Sequence, residues 1–98
     1  MFKQPAIYIM ASRRNGTIYI GVTSDLIKRI YEHKYANTPG FTQKHGCKLL
    51  VYYELIDSMV IAIAREKQFK GGSRKKKLLL IVTMNPYWDD LYEKLINH

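Results

Sequence analysis

Two short runs of period-two alternation, Ala6–Ser12 and Thr17–Val22, flank the tetrapeptide Arg13-Arg14-Asn15-Gly16. Alternation marks strands with one buried face, and Asn-Gly between two such runs is a strong short-range hairpin signal. The chain is predicted to open as an antiparallel β-hairpin, and the other elements are placed relative to it. With an even loop, paired positions sum to an odd number, so Ile7, Ile9, Ala11, Ile18, Ile20 and Val22 share one face, the expected core. The opposite face carries Ala6, Tyr8, Met10 and Ser12 beside Thr17, Tyr19 and Gly21. Two tyrosines stand together there, next to a glycine that leaves room for something close.

Downstream, Ser24-Asp25 reads as the cap of a helix reaching about Ala36, with Leu26, Ile27, Ile30 and Tyr31 as its buried stripe. Arg29 and His33 fall one turn apart at the edge of that stripe, while Lys28 and Glu32 point further out. Asn37–Gly46 reads as loop, and Lys48–Ile56 as a third strand, apolar enough to be central or well covered. Asp57 or Ser58 starts a second helix to about Lys70, Gly71-Gly72 breaks it, and Ser73 caps a third through Val82. Asn85-Pro86 looks like the N-cap and first turn of a last helix containing Trp88, Leu91 and Leu95. With no repeat and no linker, residues 1–98 are expected to form a single α+β domain.

A chain of 98 residues buries only ~60–68% of its unfolded surface, so an active site is expected as a surface cleft. Cys47 is the one cysteine, which excludes an internal disulfide and a cysteine-based zinc site. The longest apolar stretches, Met59–Ala64 and Leu78–Val82, fall far short of the ~20 residues that span a bilayer. The first residues lack a signal-peptide apolar region, so the expected location is cytoplasmic and off the membrane. A formal charge of +8 invites polyanions, and it is concentrated: Arg65, Lys67, Lys70, Arg74, Lys75, Lys76 and Lys77 lie in one segment with a single acid, Glu66.

On a helical wheel Glu66 shares its face with Met59, Ala62, Ile63 and Phe69, the residues expected to dock the second helix on the sheet. A carboxylate there is costly unless paired or coordinating a cation. It is read either as the partner of Arg29 or a nearby lysine, or as a Mg²⁺ ligand beside bound phosphate. Tyr8 and Tyr19 are read either as cross-strand packing or as functional phenols, which need a positive field near neutral pH. Arg29, Lys28 and His33 are placed to supply it, and together they suggest a phosphate clamp. Lys75, Lys76 and Lys77 are either a solvated face or a track for a nucleic-acid backbone.

Ala6-Ile7-Tyr8, then ten residues, then Tyr19-Ile20-Gly21, followed by Lys28-Arg29, His33 and the helical Glu66, resembles the GIY-YIG nuclease superfamily over nearly the whole chain. It most resembles the small stand-alone bacterial members grouped with the nuclease domain of the excision-repair endonuclease, and it shares the arginine-to-histidine spacing of the phage homing endonucleases. The resemblance implies a three-stranded antiparallel sheet flanked by helices, bearing a one-metal phosphodiesterase acting on DNA, in a repair-related and structure-selective role on branched or damaged substrates. Carried over by position, Tyr8 or Tyr19 is the general base and the other orients phosphate or water. Arg29 stabilises developing charge, Glu66 binds one Mg²⁺ or Mn²⁺ ion, and His33 assists orientation or proton transfer. Lys28, Lys67, Lys70, Arg74, Lys75, Lys76 and Lys77 are the expected nucleic-acid contacts, and the expected products carry 5′-phosphate and 3′-hydroxyl ends.

Two positions depart from the pattern. Ala6 replaces the usual glycine, and Val22 stands where the repair branch has a lysine that helps activate the tyrosine. Some members use an asparagine downstream of the glutamate; Asn85 is the candidate here, although an N-cap role explains it without chemistry. The departures motivate an alternative, a nucleic-acid-binding module that does not cleave. A third reading makes the acidic last helix, with Asp89, Asp90 and Glu93 beside Tyr87 and Trp88, a protein-interaction surface. Targeting through a protein partner or self-association accompanies each of these readings.

Overall fold

The computed structural model describes residues 4–35 and 45–97. Along the chain these form β1 (Ala6–Ala11), β2 (Ile18–Thr23), α1 (Leu26–Tyr35), β3 (Leu49–Leu55), α2 (Met59–Gly71), α3 (Arg74–Met84) and α4 (Tyr92–Ile96). Ala36 and most of the predicted loop Asn37–Gly46 lie outside the described residues. The strands make one antiparallel sheet in the order β2-β1-β3, so the fold is α+β, a three-stranded sheet flanked by helices. No helix among the described residues is long and apolar enough to cross a membrane.

The hairpin has the predicted register: Ile7 faces Val22, Tyr8 faces Gly21 and Met10 faces Tyr19. Its turn is closed by the Gly16 N–H donating to the Arg13 carbonyl at 2.9 Å. Asn15 takes the left-handed conformation (φ 59°), a region asparagine tolerates better than most residues.

Both faces of the sheet are covered, each by its own core. Ile7, Ile9, Ala11 and Ile20 pack with Ala62 and Phe69 of α2, Ile81 of α3 and Trp88. Ala6, Tyr8 and Met10 pack with Leu26 and Ile30 of α1, and with Leu91 and Tyr92 at the start of α4. Fully burying an aliphatic side chain such as Ile7, Ile30 or Ile81 contributes roughly 1.5–3 kcal/mol. The tyrosine face is thus a second core that closes over Tyr8, rather than an open surface.

β3 is well covered but not central. A bulge opposite Ile9 and Met10 makes Val51 an extra residue, Ile9 pairing with Tyr52 and Met10 with Leu50. Val51 and Tyr52 therefore both face the first core, while Leu50 faces the second. The outer edge of β3 is sealed by the segment after α3. The Leu50 N–H donates to the Asp90 carboxylate at 3.1 Å, and the Leu91 N–H donates to the Leu50 carbonyl at 2.8 Å. The start of this edge strand is thereby closed to pairing with another chain.

Three expectations about the helices are corrected. In α1, Leu26 and Ile30 are buried, but Ile27 and Tyr31 are exposed. The inward side of the helix is the Leu26–Ile30–His33 side, because α1 crosses the tyrosine face with His33 turned toward the rings. In α2, Ser58 caps the helix and Ala62 and Phe69 are buried as expected, whereas Ile63 is exposed. Asn85 is the C-cap of α3 rather than an N-cap, and the last helix begins only at Tyr92.

The physical reason for the last correction is the edge of β3. The buried Asn85 amide donates to the Val51 carbonyl (3.2 Å) and to the Asp89 carbonyl (2.7 Å), and its side-chain oxygen accepts the Asp89 N–H (3.0 Å). These bonds hold a tight turn in which Trp88 sits at φ 59° with its indole in the first core. Asn85→Ala leaves the Val51 carbonyl and Asp89 N–H without these partners. It is expected to lower unfolding free energy by about 2–3 kcal/mol in urea titration, with no change in the geometry of the tyrosine face.

Candidate active site

The site is built on the middle of the central strand. Tyr8 projects from β1 and is 2% exposed, with Gly21 of β2 and Tyr53 of β3 as its two cross-strand neighbours. Its ring leans over β2 into the space that Gly21 leaves. A Cβ at Gly21 would lie 2.9 Å from Tyr8 Cε1 and closer still to Cζ and Oη, so the glycine is required by the close approach of the phenol.

Tyr19, two residues before Gly21, faces the same side. The Tyr8 and Tyr19 ring centroids are 6.3 Å apart, and the His33 ring is 5.6 Å from each. Tyr8 Oη and His33 Nε2 are hydrogen-bonded at 2.8 Å. The half-buried imidazole therefore stands in the notch between the two phenols.

The electrostatics differ from what the charges along α1 suggest. Burial pushes the Tyr8 phenol well above its usual range; Tyr19, Glu66 and Glu32 add to the shift, and Arg29 opposes it without reversing it. Burial, reinforced by Arg29, holds the His33 imidazole below its ordinary value. A neutral histidine thus accompanies a protonated Tyr8, and the expected positive field does not come from His33. Lys28 is exposed and acts as the third residue of the helix cap, its N–H donating to the Asp25 carboxylate at 3.3 Å. It is not among the charges acting on Tyr8.

Around the three rings stand Arg29, Glu66 and Lys70. The Arg29 side chain is half exposed at the cleft rim, 3.8 Å from Glu32. Glu66 comes from α2, which packs across β2 and β1. Its side chain is only 14% exposed, and its partner is Lys70 at 3.4 Å, so of the two pairings considered for Glu66 the lysine is the one formed. The Lys70 ammonium lies 6.0 Å from the Tyr19 ring centroid, at the limit of cation–π range. No group of three or more His, Cys, Asp or Glu side chains suited to a metal occurs among the described residues. Glu66 is a carboxylate of the kind beside which Mg²⁺ completes its shell with water and substrate phosphate.

The remaining basic residues divide. α3 belongs to the first core, so it lies on the sheet face away from the tyrosines. Lys76 and Lys77 line a separate groove of about 670 Å³ with Tyr52, Phe69, Leu79 and Met84, and they do not face the phenols. Lys67 and Lys75 are exposed. Arg74 bonds instead to the hairpin tip, donating to the carbonyls of Asn15 (3.1 Å) and Gly16 (2.7 Å). The two sequence departures leave the cleft intact: Ala6 is buried in the second core, and Val22 packs against the first, so its side chain points away from Tyr8. The place of Lys70 over Tyr19 was not anticipated, although its spacing four residues after Glu66 was a signal for the ion pair.

Residues 4–79 match the family model described as the GIY-YIG catalytic domain, and the chain belongs to the GIY-YIG family. It is 37% identical over 75 residues to the UPF0213 protein of Staphylococcus saprophyticus, an alignment covering 76% of this chain and 90% of that one. The UPF0213 protein of Clostridium perfringens is 33% identical over 91 residues, covering 93% and 96% of the two chains. That of Fusobacterium nucleatum is 32% identical over 87 residues, covering 88% and 87%. No solved structure matches. The family is of nuclease type, its members generally use divalent metals, and nucleic acid is the substrate class it implies.

Proposed function

We propose that this protein is a metal-dependent endonuclease that hydrolyses DNA phosphodiester bonds, with residues 1–98 acting as one nuclease domain. The observation that carries this reading is the Tyr8–His33 hydrogen bond of 2.8 Å, formed between a protonated phenol and a neutral imidazole beside the Glu66 carboxylate. It points to Tyr8 as the proton-transferring tyrosine and to Tyr19 as the one that orients phosphate or water. The attacking water gives its proton to Tyr8 Oη as Tyr8 passes its own proton to His33 Nε2, so a phenol with a raised pKa never has to stand as a phenolate. The water oxygen bonds to phosphorus and the bond to the 3′-oxygen breaks. The 3′-oxygen takes a proton from solvent, leaving 5′-phosphate and 3′-hydroxyl ends.

Glu66 would hold one Mg²⁺ or Mn²⁺, which supplies neutralisation of the phosphate charge when bound. Arg29, at the rim, donates to the phosphate as negative charge grows on it, an interaction worth several kcal/mol in a water-poor cleft. Lys28, Lys67 and Lys70 contribute backbone attraction without base reading, with Arg74, Lys75, Lys76 and Lys77 of α3 adding to the field from the other face. Lacking a base-reading element, such an enzyme selects DNA by shape, as a repair-related, structure-selective nuclease would.

The test is incubation of purified protein with end-labelled branched, nicked and single-stranded DNA, with Mg²⁺, Mn²⁺ or EDTA. Cut products carrying 5′-phosphate and 3′-hydroxyl ends, formed only with metal, are expected. Salt-dependent binding with no product on any substrate would favour the non-cleaving module.

The relay also sets a pH dependence. His33 accepts a proton only when neutral, and its pKa is held below the ordinary value of ~6.5. Cleavage at saturating metal is therefore expected to be flat through neutral pH and to fall with a midpoint below 6.5 as acid is added. The sign for stability is the same: the unfolded imidazole binds a proton more readily than the folded one, so acid favours unfolding. Rates that rise below pH 6.5 would contradict the assignment.

A further inference from the structure

The β1–β2 turn presents Arg13 and Arg14, both exposed and with no acidic partner among the described residues. It is not a free turn. Arg74, the first residue of α3, donates to both Asn15 and Gly16 carbonyls, pinning the tip to the α2–α3 junction and adding a third arginine to the turn that carries the other two. The junction is anchored in turn, since the Lys77 ammonium donates to the Lys70 carbonyl at 3.2 Å. Lys70 then reaches Tyr19 and Glu66. Cations therefore stand at both ends of the short α2–α3 junction: Lys70 at the Tyr19 ring, and Arg74 at the tip, where the turn adds Arg13 and Arg14.

A turn that gathers three arginines, none with an acidic partner among the described residues, favours an anion, and guanidinium is the side chain that bonds phosphate through two donors at once. Arg13 lies five residues after Tyr8 and past the end of β1 at Ala11, so at ~3.4 Å per residue it is at most about 17 Å away. On a duplex, rising ~3.4 Å per base pair, that is about five base pairs.

We infer that the hairpin tip is a second backbone-phosphate contact, with Arg13 and Arg14 gripping the nucleic acid within about five base pairs to one side of the scissile phosphate and Arg74 holding the tip in position. This rests on the nuclease reading of the tyrosine cleft and deepens it, because it sets the substrate as one that continues as duplex on the tip side. The contact supplies affinity and placement and carries no base preference.

The experiment is fluorescence anisotropy of a labelled 16-base-pair duplex in EDTA, titrated from 50 to 300 mM salt, for the wild type, Arg13→Gln/Arg14→Gln and Arg13→Lys/Arg14→Lys. The glutamine variant no longer neutralises two phosphates, and at ~0.9 per phosphate its slope of log Kd against log salt should be lower by about 1.8. The lysine variant should keep the wild-type slope, since it keeps the charges. Circular dichroism and the melting temperature check that both variants fold, as expected for exposed turn positions. A glutamine variant with the wild-type slope and affinity overturns the tip contact and leaves the cleft assignment standing. Failure of the wild type to bind duplex at all overturns the tip contact, while cleavage of branched or single-stranded DNA would still decide the nuclease reading.

Discussion

Replacing Glu66 by glutamine is expected to abolish metal-dependent cleavage, a loss of about 10³-fold or more in single-turnover rate at saturating Mg²⁺. The substitution keeps the shape of the side chain and removes its charge. In a position only 14% exposed and in contact with one lysine, that charge is the means by which the cleft would hold a divalent cation. A 10³-fold loss corresponds to about 4 kcal/mol of barrier, in line with the several kcal/mol that a metal contributes to charge stabilisation in the transition state. Binding of the same DNA in EDTA should be unchanged or slightly tighter, because an anion near the phosphates is gone and Lys70 is released to meet them. Cleavage at the wild-type rate would remove Glu66 from the site.

Gly21→Ala is expected to cost about 10²-fold in cleavage rate although residue 21 contributes no chemical group. The added methyl occupies the place of the Tyr8 ring end, and Tyr8 is too deeply buried to swing aside. The ring must shift, and the bond to His33 Nε2 shifts with it; a misplacement near 1 Å is enough for a loss of this size. Overpacking should also lower stability by about 1–3 kcal/mol, read from chemical denaturation. The loss acts through Tyr8, so the effects should not add. In a Tyr8→Phe background the further cost of Gly21→Ala is expected to be under tenfold, whereas independent effects would multiply.

The hairpin and its register were legible because period-two alternation, an even loop and Asn-Gly each specify the same pairing. The tyrosines could be placed for the same reason, and Arg29, His33 and Glu66 by the caps and apolar spacing of their helices. What a helical wheel does not contain is the side of the sheet a helix will cross. Ile27 and Tyr31 looked buried because they are apolar, yet α1 turns His33 inward, and a polar residue on an inward face looks like a solvated one. The wheel likewise gave no sign that α3 packs on the first core and carries its lysines to that side of the sheet. Asn85-Pro86 carried the local signal of an N-cap, but the Val51 carbonyl at the β3 bulge, a tertiary feature, captured the asparagine amide. The shifts at Tyr8 and His33 arise chiefly from burial, which charge spacing alone does not reveal.

At the heart of the proposed mechanism Tyr8, bonded to a neutral His33, moves the proton of the attacking water. Its most direct test is the single-turnover cleavage rate of labelled DNA at saturating Mn²⁺ for the wild type and Tyr8→Phe, with DNA affinity measured alongside in EDTA. The phenylalanine variant keeps the ring in the second core and removes only the hydroxyl. The expected rate is lower by about 10²–10⁴-fold, the range for a positioned acid–base group, with affinity unchanged. Cleavage by Tyr8→Phe at the wild-type rate would contradict the assignment of Tyr8.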